Sequence, residues 1–88
     1  MKDVDFHPDV LSKITQIRKK DPKFYKKIKK QLILFQQNPY HRSLRTHKLT
    51  GKLKNVWSIS ISKSIRMLYI DSDSYYFIQI GTHDEVYK

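Results

Sequence analysis

At Asn38-Pro39 the hydrophobic period of this chain changes. Before that dipeptide, Val10, Ile14 and Ile17 recur at helical spacing with Leu11 beside them, and Phe24, Ile28, Leu32 and Phe35 form a second stripe. After it, Trp57, Ile59 and Ile61 alternate with Ser58 and Ser60, a period of two that buries one face and leaves the other small and polar. Helices first and strands afterwards, within 88 residues, leave room for a single domain, residues 1–88, built around one modest core. The punctuation refines this. His7-Pro8 starts a first helix, because proline suits the first helical position. Asp21-Pro22 restarts the chain as a second helix that runs to about Gln37. The short link between them predicts an antiparallel helical hairpin. Residues 2–6 alternate weakly and read as an opening strand. Ser62-Lys63-Ser64 turns the chain into a strand over Ile65–Ile70. Asp71-Ser72-Asp73-Ser74 turns it again into Tyr75–Ile80, and a short strand around Thr46–Leu49 is available to the same sheet. The expected fold class is α+β: an N-terminal strand, a helical hairpin, then a three- to four-stranded antiparallel sheet. Residues 81–88 are expected to form an irregular or extended tail.

The charge is as unevenly distributed as the hydrophobicity. No acidic residue occurs between Asp21 and Asp71, yet twelve of the eighteen Lys and Arg lie in that interval. The formal net charge is +10. A surface that carries this much self-repulsion suits a polyanion, and nucleic acid is the foremost candidate. A lipid-binding helix is disfavoured because the basic stretch continues far beyond either helix. The chain has no cysteine, which excludes disulfides and thiolate metal sites and fits a reducing cytoplasm. Apolar runs such as Leu32–Phe35 are too short to span a membrane.

Few chemistries fit these residues. His7, His41, His47 and His83 lack the close pairing of a zinc helix, and Asp71 and Asp73 sit in a turn, so neither metal nor cofactor is expected. No glycine-flanked elbow carries a serine nucleophile. Asp84 and Glu85 are adjacent and would point apart. Metal-free phosphate chemistry remains. RNA brings its own nucleophile, the ribose 2′-hydroxyl, so the protein must move two protons and stabilise a crowded, doubly charged phosphorane. Histidine suits the proton transfers near neutral pH, and the arginine fork suits the phosphate. Arg66 lies inside a strand, on the same side as Leu68 and opposite to Ile65, Met67 and Tyr69, where strand pairing through the 62–64 turn would bring Ser58 or Ser60 beside it. His83 follows Gly81 at a strand end. His47 has Arg45, Lys48, Lys52 and Lys54 close in sequence. Tyr87 could stack on a base or pack against the core. Lys23, Lys26, Lys27 and Lys30 of the second helix read as a solvated face, and Ile33 and Leu34 make the end of that helix apolar nearly all round.

The segments Leu44-Arg45-Thr46-His47-Lys48-Leu49-Thr50-Gly51-Lys52-Leu53-Lys54, Trp57-Ser58, Ile65-Arg66-Met67-Leu68-Tyr69 and Ile80-Gly81-Thr82-His83-Asp84-Glu85-Val86-Tyr87, in this order behind a helical hairpin, resemble the RelE/ParE toxin superfamily, most closely its RelE and YafQ branches. The resemblance covers nearly the whole chain. It implies the toxin of a type II toxin–antitoxin pair, an endoribonuclease that needs no metal and cuts mRNA, often on the ribosome, to inhibit translation. It also implies a small antitoxin that wraps and neutralises the toxin. By position, it makes His83 the catalytic histidine of the tail, Arg66 the contact to the scissile phosphate, His47 a functional loop histidine and Tyr87 the base-stacking tail aromatic. Arg45, Lys48, Lys52 and Lys54 would bind RNA. Three positions depart from the pattern: Ser58 and Ser60 stand near RelE lysines, with a YafQ-like histidine at the second, and Gln79 replaces a YafQ-like arginine. The ParE branch shares the fold but inhibits DNA gyrase by binding. A pure binder has no need of the His47, Arg66 and His83 set.

Overall fold

The computed structural model describes residues 2–49 and 55–86. Strand β1 (Val4–Phe6) leads into helix α1 (Pro8–Lys20) and helix α2 (Pro22–Gln37). A 3-10 turn over Arg42–Leu44 precedes β2 (His47–Lys48), β3 (Val56–Ser60), β4 (Ile65–Asp71), β5 (Tyr75–Thr82) and a one-turn helix α3 (His83–Val86). The expected α+β architecture is present. The sheet holds five strands in the order β1-β5-β4-β3-β2; β1 runs parallel to β5 and the other pairs are antiparallel. The N-terminal strand therefore joins the antiparallel sheet as an edge, held by Tyr75 N–H donating to Asp3 O (2.8 Å), His7 N–H donating to Phe77 O (2.8 Å) and a Lys2–Asp71 ion pair.

The helix boundaries follow from local chemistry. His7 caps α1, its Nδ1 accepting from Asp9 N–H at 3.0 Å with Pro8 at the first helical position. Asp21 serves both helices: its N–H donates to Ile17 O (2.7 Å) to close α1, and its Oδ1 accepts from Phe24 N–H (3.1 Å) to open α2. Arg18, Lys19 and Lys20 occupy the last turn of α1, where positive charge favours the helix end.

Both helices pack on one face of the sheet. Phe35 is fully buried, with ring centroids 5.0 Å from Tyr69, 4.9 Å from Tyr75 and 5.3 Å from Phe77, mostly edge to face as aromatic quadrupoles prefer. Ile28, Val10, Ile59, Met67 and Ile80 complete this core. Burial pushes the Tyr69 phenol above its ordinary pKa, so it remains neutral near pH 7. The opposite face carries a smaller cluster of Val56, Leu68 and Val86, against which Leu49, Ile70 and Ile78 pack. Of the irregular or extended tail expected over residues 81–88, Gly81 and Thr82 are extended in β5, whereas His83–Val86 form α3, which folds back so that Val86 is buried. No helix among the described residues is long and apolar enough to cross a membrane.

Phe35→Ala removes the ring that three sheet aromatics surround. We predict a loss of about 3–5 kcal/mol in urea unfolding, with an unchanged fold in the fraction that remains native.

Candidate functional site

The strand register gathers several of the candidate side chains. Ser60 pairs with Arg66 across β3–β4, and Arg66 pairs with Gly81 across β4–β5. The face expected for Arg66 is the one observed, and of the two candidate serines it is Ser60 that stands opposite it. Gly81 precedes His83 by two residues, so the half-buried arginine and the tail histidine belong to one end of the sheet.

A cleft opens beside this row because β2 is short. It pairs with β3 only through His47–Ser58 and Lys48–Trp57. Upstream, Arg45 takes a left-handed conformation (φ 48°, ψ 45°) as it ends the 3-10 turn, a strained choice for a residue with a Cβ. The chain is thereby steered away, and the edge of β3 beyond Ser58 is left to α2. Gln31, 9% exposed, reaches across from that helix: its Nε2 donates to Ser60 O at 2.9 Å and lies 3.5 Å from Ser43 O. A buried side-chain amide thus satisfies a carbonyl that no strand covers. Around this bridge lies a cavity of about 840 Å³ bounded by α2, the 3-10 turn and the β3–β4 hairpin. Lys26, Lys27, Lys30, Arg45, Lys63 and Arg66 line it. All six come from the acid-free interval, and among the described residues none has a carboxylate within ion-pair distance. Three lysines of the expected solvated face therefore form one wall of a cleft.

His83 is the first residue of α3, and its position is set by a capping box. Glu85 N–H donates to Thr82 Oγ1 (3.3 Å) while Glu85 Oε1 accepts from Thr82 N–H (2.9 Å), the reciprocal arrangement of a Thr-x-x-Glu sequence. Gly81 lies under the returning Glu85: a Cβ there would stand 3.1 Å from both Glu85 Cβ and Oε1. Gln79 Nε2 donates to Glu85 O at 2.9 Å, so the residue that departs from the YafQ-like pattern holds the other end of the same turn. A β-bulge in β5 opposite Leu68 and Tyr69 precedes it, a device common beside functional sites. The His83 imidazole is largely exposed, with Nδ1 3.7 Å from Asp84 Oδ1.

His47 stands on β2 opposite Ser58, on the face of the sheet that carries Arg66. Its Nδ1 lies 3.3 Å from Arg45 O. A carbonyl can only accept, so Nδ1 is the donor where this contact forms. Two strand spacings and two residues along the strand separate the His47 and Arg66 Cα atoms by roughly 12 Å, leaving space for a substrate between them. His7 and His41 have other work: each accepts from a backbone N–H two residues on, Asp9 at 3.0 Å and Ser43 at 3.1 Å, capping α1 and the 3-10 turn. Of the expected RNA-binding set, Arg45 lines the cavity. Lys48, next along β2 from His47, points to the opposite side of the sheet. Lys52, Lys54 and Tyr87 lie outside the described residues.

No protein-family model matches the chain, and no curated protein matches it in sequence. Solved structures do match its shape. YafQ from E. coli superposes with a TM-score of 0.76 at 20% identity, covering 100% of both chains. The YoeB/ParE toxin from Agrobacterium tumefaciens gives 0.77 at 20% identity over 94% of this chain and 99% of its own. The E. coli DinJ–YafQ toxin–antitoxin complex gives 0.76 at 21% identity over 99% of this chain and 98% of that one. The chain has the fold of these toxins.

On this toxin fold, Gln31, Lys63, Thr82 and Glu85 are candidate site residues that sequence reasoning did not single out, and Lys26, Lys27 and Lys30 were read only as a solvated face. Thr82-His83-Asp84-Glu85 carries a readable capping signature, and Gln31 interrupts an apolar stripe between Ile28 and Phe35. Lys63 is visible only as a turn residue. We predict that Thr82→Ala costs about 0.5–2 kcal/mol, concentrated in α3. Amide exchange at residues 83–86 would accelerate while that of β4 stays unchanged. Gly81→Ala, which drives a methyl into Glu85, would accelerate the same amides.

Proposed function

We propose that this protein is the toxin of a type II toxin–antitoxin pair and a metal-independent endoribonuclease that cuts mRNA, acting in the cytoplasm on translating ribosomes to inhibit translation. The observation that carries the reading is the Ser60–Arg66–Gly81 row. It joins an arginine at the end of a six-cation cleft to the turn that bears His83. In the reaction we infer, the substrate 2′-oxygen attacks phosphorus as His47 Nε2 removes its proton. The P–O5′ bond breaks as His83 delivers a proton to the leaving oxygen. Arg66 donates to the non-bridging oxygens, whose charge grows in the phosphorane. The products are a 2′,3′-cyclic phosphate and a free 5′-hydroxyl. Tyr87 orients a base by stacking, and Arg45, Lys52 and Lys54 hold adjacent phosphates.

An antitoxin partner fits the surface as well. YafQ occurs in a complex with DinJ, and the Staphylococcus aureus YoeB with YefM. Leu34 packs against the core, whereas Ile33 and Leu11 stay about half exposed beside a hollow of about 300 Å³ between α1, α2 and β1. We assign that hollow to the antitoxin.

Purified protein in chelator should cleave RNA to cyclic-phosphate ends. His83→Ala should lower kcat by about 10²–10⁴, and Arg66→Ala by about 10²–10³, both with unchanged antitoxin affinity. Full activity in both variants would sink the assignment. Expression in cells should stop protein synthesis; a DNA-damage response without RNA cleavage would instead support a gyrase inhibitor of the ParE type. Ile33→Asp should weaken antitoxin binding about tenfold or more in calorimetry while leaving cleavage intact.

A further inference from the structure

We infer that the cleft between α2, the 3-10 turn and the β3–β4 hairpin is the track for the RNA strand on one side of the scissile phosphate, and that it reads the backbone and not the bases. This rests on the nuclease reading only in treating the phosphate at Arg66 as the scissile one. Three features of the cleft carry the inference. First, its cations are arranged as a path. Arg66 and Lys63 stand at the hairpin end, Lys26, Lys27 and Lys30 along the α2 wall, and Arg45 beside the 3-10 turn. Lys26 and Lys30 are one helical turn apart, about 6 Å along the axis, so they can meet successive phosphates and not a single one. Second, the charge is uncompensated: no carboxylate among the described residues pairs with any of the six. Converging cations without a counter-charge raise the energy of the empty cleft, and that energy is recovered when anions enter. Third, the lining is chemically blind to sequence. Among the described residues its remaining members are Gln31, Ser43, Ser60, Ser62 and Ile61, none of them aromatic. Gln31 is committed to the Ser60 and Ser43 carbonyls. Without an aromatic platform among the described lining residues, and with six cations suited to phosphate, contacts in the cleft fix register and supply affinity more than they select nucleotides.

The test uses Lys26→Gln, Lys27→Gln and Lys30→Gln together in the full chain. All three lysines are exposed on α2, and glutamine keeps nearly the same helix propensity; a thermal melt checks the fold. The probe is a fluorescent oligonucleotide of about twelve residues, 2′-O-methylated throughout so that it cannot be cleaved. Its anisotropy is read across a salt series. The triple variant should lower the slope of log K against log salt by about 2, at roughly 0.7 per lost phosphate contact. Affinity for this oligomer should fall about tenfold or more, and a 2′-O-methyl dinucleotide should bind as it does to wild type. Oligomers of scrambled sequence should lose affinity equally. Lys19→Gln with Lys20→Gln on α1, outside the cleft, is the control and should leave the slope unchanged. An unchanged slope in the triple variant, or an equal fall in the control, overturns the track. A larger loss of binding to polyglutamate than to the oligonucleotide would also overturn it, assigning the cleft to an acidic polypeptide. Because the probe cannot react, failure of wild-type protein to cleave its 2′-hydroxyl counterpart would refute the nuclease reading alone.

Discussion

The placement of α2 depends on Phe35. Its ring is enclosed by Tyr69, Tyr75 and Phe77, so one side of the helix is clamped to β4 and β5 and cannot roll. Once that side is fixed, helical geometry decides where the others go. Gln31, one turn before Phe35, meets the uncovered edge of β3, and Lys26, Lys27 and Lys30 border the space beyond it. An aromatic contact deep in the core thus sets where three ammonium groups stand. A helix free to rotate would offer the same lysines to bulk solvent, where their separation and hydration would leave little preference for a particular anion.

The charge distribution becomes intelligible against this arrangement. Three carboxylates serve structure: Asp21 caps α2, Asp71 pairs with Lys2 to hold the edge strand, and Glu85 closes the capping box. Each stands clear of the cleft. An acid inside residues 22–70 would have been free to pair with a cleft cation, and a cation already paired competes poorly for phosphate. The interval is therefore basic for a positional reason, since the elements it encodes are the ones that converge on a single cavity.

Much of this could be read from the chain because the signals are local. His7-Pro8 and Asp21-Pro22 announce helix starts by capping chemistry, and strand alternation alone assigns Arg66 to the face shared with Leu68 and opposite Met67. The Ser62–Ser64 turn is equally local, and it carries the Ser60–Arg66 register with it. What escaped was set by distant partners or rival local preferences. The parallel pairing of β1 with β5 joins Val4 to Tyr75, a choice no neighbouring residue dictates. The cleft needs Arg45 to accept a left-handed backbone, which its residue type argues against. The turn of the tail escaped for another reason: the absent Cβ of Gly81 lets Glu85 return to Thr82, a contact made only once the chain has folded back.

On the proposed nuclease reading, the tail suggests how a backbone-reading cleft and a more selective group can coexist in so small a fold. The cleft gathers rigid cations on α2 and the β3–β4 hairpin, both anchored by the main core. His83 sits instead on a single turn held by one reciprocal side-chain pair, the Gln79 bond and buried Val86. That turn is the less constrained half of the site, since four residues cannot support a helix by their own hydrogen bonds. A backbone-reading track needs rigidity, because phosphate spacing is the same in every substrate. A group that must approach the leaving oxygen only when a nucleotide is correctly seated gains from small adjustments, provided its anchor returns it to one position. The capping box supplies that anchor. The proposed nuclease would thereby draw its affinity from the half anchored by the main core and its discrimination from the half held by one turn.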